Sequence, residues 1–461
     1  MRAEAALVLL FTILLLFAIG CHSGDDSSDS SAGSVQDDDD TIGDDDDASG
    51  DDDAADDDMV VDDDDAIDDD DVVDDDVVDD DVVDDDDLVD DDDTADDDDA
   101  VDDDDVADDD DYDVDPPAWD YAPLDTEVYT LSNEKIDLKI DSAGGLHAAY
   151  ATAHQDALDL HVTYAYLAPG GTSWTKQIVD NSWDQTGYFV SIALDATNKP
   201  YLLYMAGLMA PFDLKFARKN IIGGWTVSEP TDDYIAAGNG LAFGNGTFYA
   251  AYSGSDFGIY DSLFVGSGTG FGFTFAQVEA ALEDSSHPTV AVDGSGNPTA
   301  TVVNEGNLYL AHKSGTAWNL EYIASNDVTY NDLCFDPDGN WHLVWTGTGS
   351  DPAKNLYHFT PDLVIPEVID DNNPPDQSTG YRPRIFCGQY GGLYVTAHNA
   401  SQDMLVFLRY VNGVWEKYNL AVGADTGYAS VPVVDGDGNV HLLFTAADQV
   451  FYATCQGCAM H

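Results

Sequence analysis

The stretch Val434-Asp435-Gly436-Asp437-Gly438-Asn439-Val440-His441 contains the pattern that decides the fold. A short apolar run leads into a turn of Asp, Gly and Asn, and a second apolar run follows it, which is typical of a β-hairpin. Clear copies occur at Ile140–His147, Val292–Asn297 and Phe335–His342, and weaker ones begin at Asp195, Gly244 and Gly388. The sequence therefore contains seven related hairpins.

Each hairpin belongs to a longer repeating unit. A strand that often opens with a polar residue and Leu follows it, as at Asn307-Leu308, and then a strand headed by an aromatic residue. Consecutive aromatics lie roughly 45 to 51 residues apart at Trp174, Trp225, Phe271 or Phe273, and Trp318. A degraded copy, Val364-Ile365-Pro366, stands between Trp318 and the next aromatic, Trp415. Four strands repeated within about 50 residues predict the blades of a β-propeller.

The seventh copy lacks its outer strand, because the repeat stops at Thr454 after a third strand. A spare strand, Thr126–Leu131, precedes the first hairpin. We expect this strand to complete the last blade, which would leave no open sheet edge. The prediction is an all-β, seven-bladed β-propeller over residues 117–461, closed by its N-terminal strand.

The repeat resembles the sialidase-like propellers, in which an Asp/Gly hairpin turn and a Trp-bearing outer strand mark each blade. The likeness covers residues 126–454, although the Ser-x-Asp-x-Gly-x-x-Trp box of those families is missing. Tyr381-Arg382-Pro383-Arg384-Ile385 is similar to, but ordered differently from, the aromatic-Arg-Ile-Pro motif of sialidases. In that family the Arg binds the substrate carboxylate, so the resemblance implies a site at one end of the ring.

Charge divides the 461-residue chain into two different parts. The formal net charge is −79, and 53 aspartates lie between residues 22 and 116. Like charges at this density repel, and the isolated Val pairs between them bury little surface, so residues 21–116 are predicted to be a disordered tether. A weak calcium store is the alternative, since carboxylates suit hard cations. The acidity of both parts argues against nucleic-acid binding.

Residues 1–20 read as a signal peptide, with Arg2 followed by an apolar core from Ala5 to Ile19. The core ends in Phe17-Ala18-Ile19-Gly20-Cys21, which resembles the lipobox of bacterial lipoproteins. The resemblance implies that Cys21 carries the lipid and anchors the protein to a membrane of the cell envelope, the outer membrane or cell surface being expected. An ordinary secretory peptide is the alternative.

Residues that repeat in every blade are expected to be structural, and function is expected where blades differ. The starts of several first strands form a predicted aromatic collar with two arginines beside it. Aromatic faces with scattered polar groups suit a glycan or a protein ligand, and the arginines suit an acidic one. The alternative is that the tyrosines fill the wedges between blades. The candidate ligand-binding residues are Tyr188, His287, Tyr330, Tyr381, Arg382, Arg384 and Tyr428.

The sequence therefore favours a surface-displayed, monomeric binding module. No catalytic spacing is recognisable, but a glycoside hydrolase or polysaccharide lyase on the same fold is the alternative, and an envelope assembly scaffold is a third. No cofactor is predicted. Weak Ca²⁺ binding is possible at the turns of Asp336/Asp338 and Asp435/Asp437, which otherwise read as plain hairpin turns.

Four cysteines lie within the propeller region. Cys455 and Cys458 are separated by two residues, which in an oxidising compartment favours a small-loop disulfide over redox chemistry. Cys334 and Cys387 fall one step out of register on adjacent inner strands, and we expect them to be buried free thiols.

Overall fold

The computed structural model describes residues 118–126, 135–153, 160–182, 186–207, 212–255, 262–270, 272–278, 282, 285–325, 327–348, 355–370 and 378–459. The predicted signal peptide, Cys21 and the aspartate tether lie outside these residues. Within them, none forms a helix long and apolar enough to cross a membrane.

The described residues form 28 strands in seven four-stranded antiparallel sheets, which confirms the predicted all-β, seven-bladed propeller. Blades 1 to 6 run in chain order from the innermost strand outward. Their strands are, for blade 1, β2 Asp137–Ile140, β3 Leu146–Ala153, β4 Leu160–Leu167 and β5 Thr175–Asp180; for blade 2, β6 Thr186–Leu194, β7 Pro200–Ala206, β8 Asp213–Lys219 and β9 Trp225–Ser228; for blade 3, β10 Tyr234–Gly244, β11 Thr247–Ser255, β12 Ser262–Gly268 and β13 Phe273–Gln277; for blade 4, β14 Ser285–Val292, β15 Pro298–Asn304, β16 Asn307–Ser314 and β17 Ala317–Ala324; for blade 5, β18 Asn331–Phe335, β19 Trp341–Gly347, β20 Asn355–Phe359 and β21 Glu367–Asp370; for blade 6, β22 Tyr381–Cys387, β23 Leu393–Asn399, β24 Met404–Val411 and β25 Val414–Leu420.

Blade 7 contains β26 Ser430–Val434, β27 Val440–Ala446, β28 Gln449–Cys455 and, as its outer strand, β1 Asp120–Asp125. The predicted closure therefore exists, but the predicted strand was wrong: Asp120 pairs with Thr454 and Pro123 with Phe451, six residues before Thr126–Leu131. Residues 127–134 lie outside the described residues.

Side-chain contacts explain why Asp120–Asp125 closes the ring. The ring of Trp119 packs edge-on against Phe407 of blade 6 at 5.2 Å between centroids. At the other end of the strand, the Asp125 carboxylate accepts a hydrogen bond from the Tyr150 hydroxyl at 3.1 Å. It also forms an ion pair with Lys176 at 3.0 Å, and both partners belong to blade 1. The closing strand and Trp119 thus contact blades 6 and 1, and the strand completes the sheet of blade 7.

The Asp residues of the hairpins hold their turns together, as the repeat predicts for a structural residue. The Oδ1 atom of Asp435 accepts hydrogen bonds from the amides of Asp437 and Asn439, and its Oδ2 atom accepts one from the Asn439 side chain. The His441 side chain bridges two partners: its Nε2 atom lies 3.3 Å from the Asp435 carboxylate, and its Nδ1 atom lies 2.7 Å from the Tyr452 hydroxyl. His147 makes the same bridge between Asp141 and Tyr164 in blade 1.

The structure contains two disulfides. Cys455 is bonded to Cys458, as predicted. Cys334 is bonded to Cys387, so the prediction of two free thiols was wrong. Their Cα atoms lie 5.7 Å apart, within the normal range for a disulfide, and the bond joins the innermost strands of blades 5 and 6. These strands belong to different sheets, so hydrogen-bond register does not limit the approach of their side chains.

Antiparallel connections place the turns of the β2–β3 and β4–β5 type at one end of every blade, which we call the turn face. The innermost strands begin at the opposite end, which we call the mouth face. The seven innermost strands surround a central channel that runs between the two faces.

Candidate functional site

The backbone at the mouth face is distorted at the same place in four blades. Strand β10 skips three residues in its pairing with the next strand, and strands β6, β14 and β22 each skip two there, so each contains a β-bulge. In β6, β14 and β22 the first skipped residues, Phe189, His287 and Arg382, have φ angles of 52°, 48° and 50°. Left-handed backbone in residues of this kind costs on the order of 1–3 kcal/mol and is concentrated at functional sites.

These bulges surround a concave pocket at the mouth of the channel, which we call the mouth pocket. It holds about 520 Å³ of empty space, part of which is open to solvent. The larger side chains of its described lining come from five different blades and from the segment before β2. The described lining includes Lys135, Phe189, Asn239, His287, Tyr330, Asp332, Arg382 and Arg384.

Arg382 is held between two aromatic rings. Its guanidinium carbon lies 3.7 Å from the centroid of Tyr428 and 4.9 Å from that of Tyr330, and its Nη2 atom donates to the Tyr428 hydroxyl at 2.7 Å. Cation–π contacts of this kind fix a guanidinium in one orientation. The Nε atom is buried and has no hydrogen-bond partner among the described residues. A rigid, charged donor therefore lacks an acceptor at the mouth pocket.

His287 provides a second polar group without a partner. Its ring meets Tyr330 edge-on at 4.5 Å between centroids, and its Nδ1 atom is buried with no hydrogen-bond partner in the described part of the chain. Burial, together with the positive charges of Arg382 and Lys135, lowers the pKa of His287 to about 4. The imidazole is neutral at neutral pH and can offer one donor and one acceptor.

A belt of polar side chains forms the floor of the mouth pocket. Arg384 donates from Nε to Asp332 at 2.9 Å, from Nη2 to Asp137 at 3.2 Å and from Nη1 to the carbonyl of Ile136 at 3.0 Å. All three guanidinium nitrogens are thus used within the protein. Arg384, which was predicted as a ligand contact, joins blades 1, 5 and 6 through these hydrogen bonds.

Lys135 adds a third cation to the lining. Its Nζ atom donates to the carbonyl of Asn239 at 2.5 Å. Burial and, to a smaller extent, the charge of Arg384 lower the pKa of Lys135 to about 7, and the carboxylates of Asp137 and Asp332 limit this shift. Among the described lining residues, the guanidinium groups of Arg382 and Arg384 and the partly protonated amine of Lys135 face one carboxylate, although residues 117–461 as a whole are acidic. The mouth pocket is therefore locally positive.

Four of the seven predicted residues, His287, Tyr330, Arg382 and Arg384, line the mouth pocket. Tyr428 contacts the mouth pocket indirectly, because its hydroxyl accepts a hydrogen bond from Arg382. The Tyr188 ring packs against the Phe212 ring, with 5.2 Å between their centroids. Neither Tyr188 nor Tyr381 belongs to the described lining. Sequence reasoning missed Lys135 and Phe189. Phe189 directly follows Tyr188, which was predicted as a ligand contact, and the bulge places Phe189 in the lining in place of Tyr188.

The carboxylates of the described lining bear on the hydrolase alternative. Glycoside hydrolases need two carboxyl groups about 5–9.5 Å apart. Asp332 is the one carboxylate in the described lining, and it accepts hydrogen bonds from Arg384, the Thr289 hydroxyl and the Ile385 amide.

At the turn face, the described residues contain no group of three or more His, Cys, Asp or Glu side chains placed to hold a metal ion.

Comparison with known proteins finds no matching family model and no matching curated protein. Several solved structures are similar. A mutant of AofleA from Arthrobotrys oligospora is 14% identical, over 67% of this chain and 91% of that chain, with a TM-score of 0.45. The Penicillium chrysogenum alpha-L-arabinanase complexed with arabinobiose is 9% identical, over 74% and 99%, with a TM-score of 0.48. The intramolecular trans-sialidase from Ruminococcus gnavus is 10% identical, over 71% and 95%, with a TM-score of 0.41.

Proposed function

We propose that this protein is a binding module whose mouth pocket recognises an acidic group on a glycan or an extracellular protein. The proposal rests on the conformation and contacts of Arg382. Its strained backbone and its two tyrosine contacts hold a cation in one place, and its buried Nε–H has no acceptor. Because Arg382 borders the mouth pocket, a ligand oxyanion that contacts its guanidinium there gains a charged hydrogen bond worth about 1.5–3 kcal/mol.

The neighbouring groups favour an acidic ligand with a flat or apolar part. Tyr330, Phe189 and His287 offer ring faces and edges on which a sugar ring or a peptide side chain can pack. Lys135 and Arg382 favour a carboxylate, because the described lining has only Asp332 to oppose them and Arg384 already neutralises it.

A binding screen on the full chain tests this proposal. Acidic and neutral oligosaccharides and acidic peptides are presented on an array, and each hit is measured by calorimetry. We expect acidic ligands to be preferred and Arg382→Gln to weaken them about tenfold to a hundredfold, as the loss of one charged hydrogen bond implies. Arg218→Gln removes the same charge from β8 and is the matched control. Equal affinity of the wild type and Arg382→Gln would contradict the proposal that the mouth pocket binds the ligand.

The lipid anchor and the surface location are also part of the proposal. They rest on the lipobox resemblance at Cys21 and on the aspartate-rich segment that follows it. Mass spectrometry of the N-terminal peptide from envelope fractions should show an acylated Cys21, and Cys21→Ser should release the protein in soluble form. An unmodified Cys21 in the wild type would refute the anchor without affecting the binding proposal.

A further inference from the structure

A second concave site lies at the turn face, between blades 1 and 2. It holds about 760 Å³ of empty space, including the part open to solvent. We call it the blade 1–2 cleft. Its described lining combines aromatic rings, two lysines and one aliphatic side chain, namely Tyr164, Tyr166, His147, Lys199, Lys219 and Ile221, with turn residues around them.

The repeat does not require lysines at these two positions. Lys199 stands four residues after the turn Asp, where other blades place Gly145, Asn297, Asn340 and Asn439. The amide of Lys199 donates to Asp195 in the way that its counterparts do, so only its side chain is exceptional. Lys219 occupies the third-strand position that Leu167, Tyr410 and Cys455 occupy in blades 1, 6 and 7, as judged by strand pairing.

Both ammonium groups lack a carboxylate partner among the described residues. Lys219 lies over the rings of Tyr164 and Trp225, at 4.7 and 5.9 Å from their centroids, and Lys199 lies 5.4 Å from the centroid of Tyr201. By contrast, Lys139, Lys176, Lys215 and Lys417 each form an ion pair. In a region with three times as many acidic as basic residues, two uncompensated cations in one cleft are unusual.

The one carboxylate of the described cleft lining, Asp141, is already used by other groups. The Oδ1 atom of Asp141 accepts the amides of Ala143 and Gly145 at 2.8 Å each, and its Oδ2 atom contacts His147 at 3.2 Å. The Tyr164 hydroxyl in turn contacts the other nitrogen of His147 at 2.8 Å. The groups left to meet a ligand are therefore mainly donors, which suit an oxyanion.

An apolar lip stands beside these donors. Ile221 and Ile222, in the turn between β8 and β9, are 99% and 88% exposed. The side chain of Asn220 accepts the amides of Ile222 and Gly224 at 3.1 and 2.9 Å, so the turn is fixed by its own hydrogen bonds. An aliphatic side chain held at the rim of a cationic cleft can pack against the C–H face of a ligand ring.

We propose that the blade 1–2 cleft is a second binding site, and that it takes an acidic saccharide. The oxyanion of the sugar lies between Lys199 and Lys219, and its ring packs between Tyr166 and Ile221. A carboxylate and a sulfate ester offer the same chemistry to the two lysines. This site is separate from the mouth pocket and does not depend on the function proposed for it.

Calorimetry on the full chain tests the proposal with three probes: a galacturonic acid hexasaccharide, a sulfated cellohexaose and neutral cellohexaose. We expect at least one acidic probe to bind, the neutral probe to bind at least tenfold more weakly, and the doubly substituted Lys199→Gln/Lys219→Gln variant to lose at least tenfold in affinity. Ile221→Ser/Ile222→Ser should lose several-fold. The probe that binds more tightly identifies which oxyanion the cleft prefers.

Lys313→Gln is the matched control, because Lys313 occupies the blade 4 position equivalent to Lys219 and lies over Trp318 in the same way. Arg382→Gln separates the two sites, since it should leave binding at the cleft unchanged. Failure of both acidic probes to bind, or equal binding by the wild type and Lys199→Gln/Lys219→Gln, overturns the proposal. Loss of binding only in Arg382→Gln would overturn it too, while supporting the mouth pocket.

Discussion

Phe189, His287 and Arg382 occupy equivalent bulges, and their left-handed backbones cannot be explained by the needs of a strand. Asn, Asp and Gly tolerate such φ angles far better than Phe or Arg, and His is intermediate in size and polarity. The larger side chains at these positions therefore keep a strained backbone at the mouth pocket. Strain of this kind is typical of residues retained for binding and not for stability.

His287→Asn tests this interpretation at a single residue. Asn relieves the φ strain but gives up the edge-on contact with Tyr330, which is worth about 0.5–1.5 kcal/mol. We expect the free energy of unfolding to stay within about 1 kcal/mol of the wild type, since the two effects oppose each other. The affinity for acidic ligands should fall. Urea denaturation and calorimetry measure the two quantities, and a stability loss above about 2 kcal/mol would indicate a structural role.

The turn histidines predict how stability depends on pH. Burial lowers the pKa values of His147, His342 and His441 below the ordinary value of 6.5, and hydrogen bonds to Asp141, Asp336 and Asp435 only partly offset this effect. Below pH 6.5 the unfolded chain therefore binds more protons than the folded one, so protonation favours unfolding.

We expect the free energy of unfolding to decrease between pH 7.5 and 5.5, before most carboxylates titrate. His441→Gln removes one of the groups, and its decrease should be shallower than that of the wild type, although it is less stable at pH 7.5. Urea denaturation at the two pH values measures this. Constant or rising stability of the wild type on acidification would show that these histidines are not buried in the neutral form.

At the scale of strands, local patterns were predicted well and long-range contacts were not. The Asp turns could be read from the sequence because the groups that stabilise them lie within six residues of each other, as in Asp435 to His441. The closing strand was placed six residues too late because its choice depends on Phe407, Tyr150 and Lys176, which lie far away in the sequence. The Cys334–Cys387 disulfide was missed for a related reason, since it joins two different sheets.

Two truncations test the position of the closing strand. A chain lacking residues 1–116 keeps β1 and should retain the stability of the full chain, whereas a chain lacking residues 1–126 exposes the edge of β28. An unpaired edge strand promotes association between molecules. We expect the longer truncation to unfold at lower temperature and to aggregate, as measured by calorimetry and light scattering. Equal behaviour of the two chains would contradict closure by Asp120–Asp125.

At the scale of the whole molecule, the two faces of the ring differ in charge. The mouth pocket presents Lys135, Arg382 and Arg384 against Asp332, whereas the centre of the turn face is lined by Asp141, Asp293, Asp336, Asp435 and Asp437. The mouth pocket could be located only approximately from the sequence. Four of its residues were expected, but the bulges that turn Phe189 and His287 inward follow from backbone geometry that strand patterns do not encode.

A crystal structure of the protein with its tightest acidic ligand tests whether the mouth pocket is the binding site. The expected result is an acidic group of the ligand within hydrogen-bonding distance of the Arg382 guanidinium, and its apolar part against Tyr330 and His287. Ligand bound elsewhere on the ring, with the mouth pocket holding only solvent, would contradict the claim that these strained residues exist for recognition.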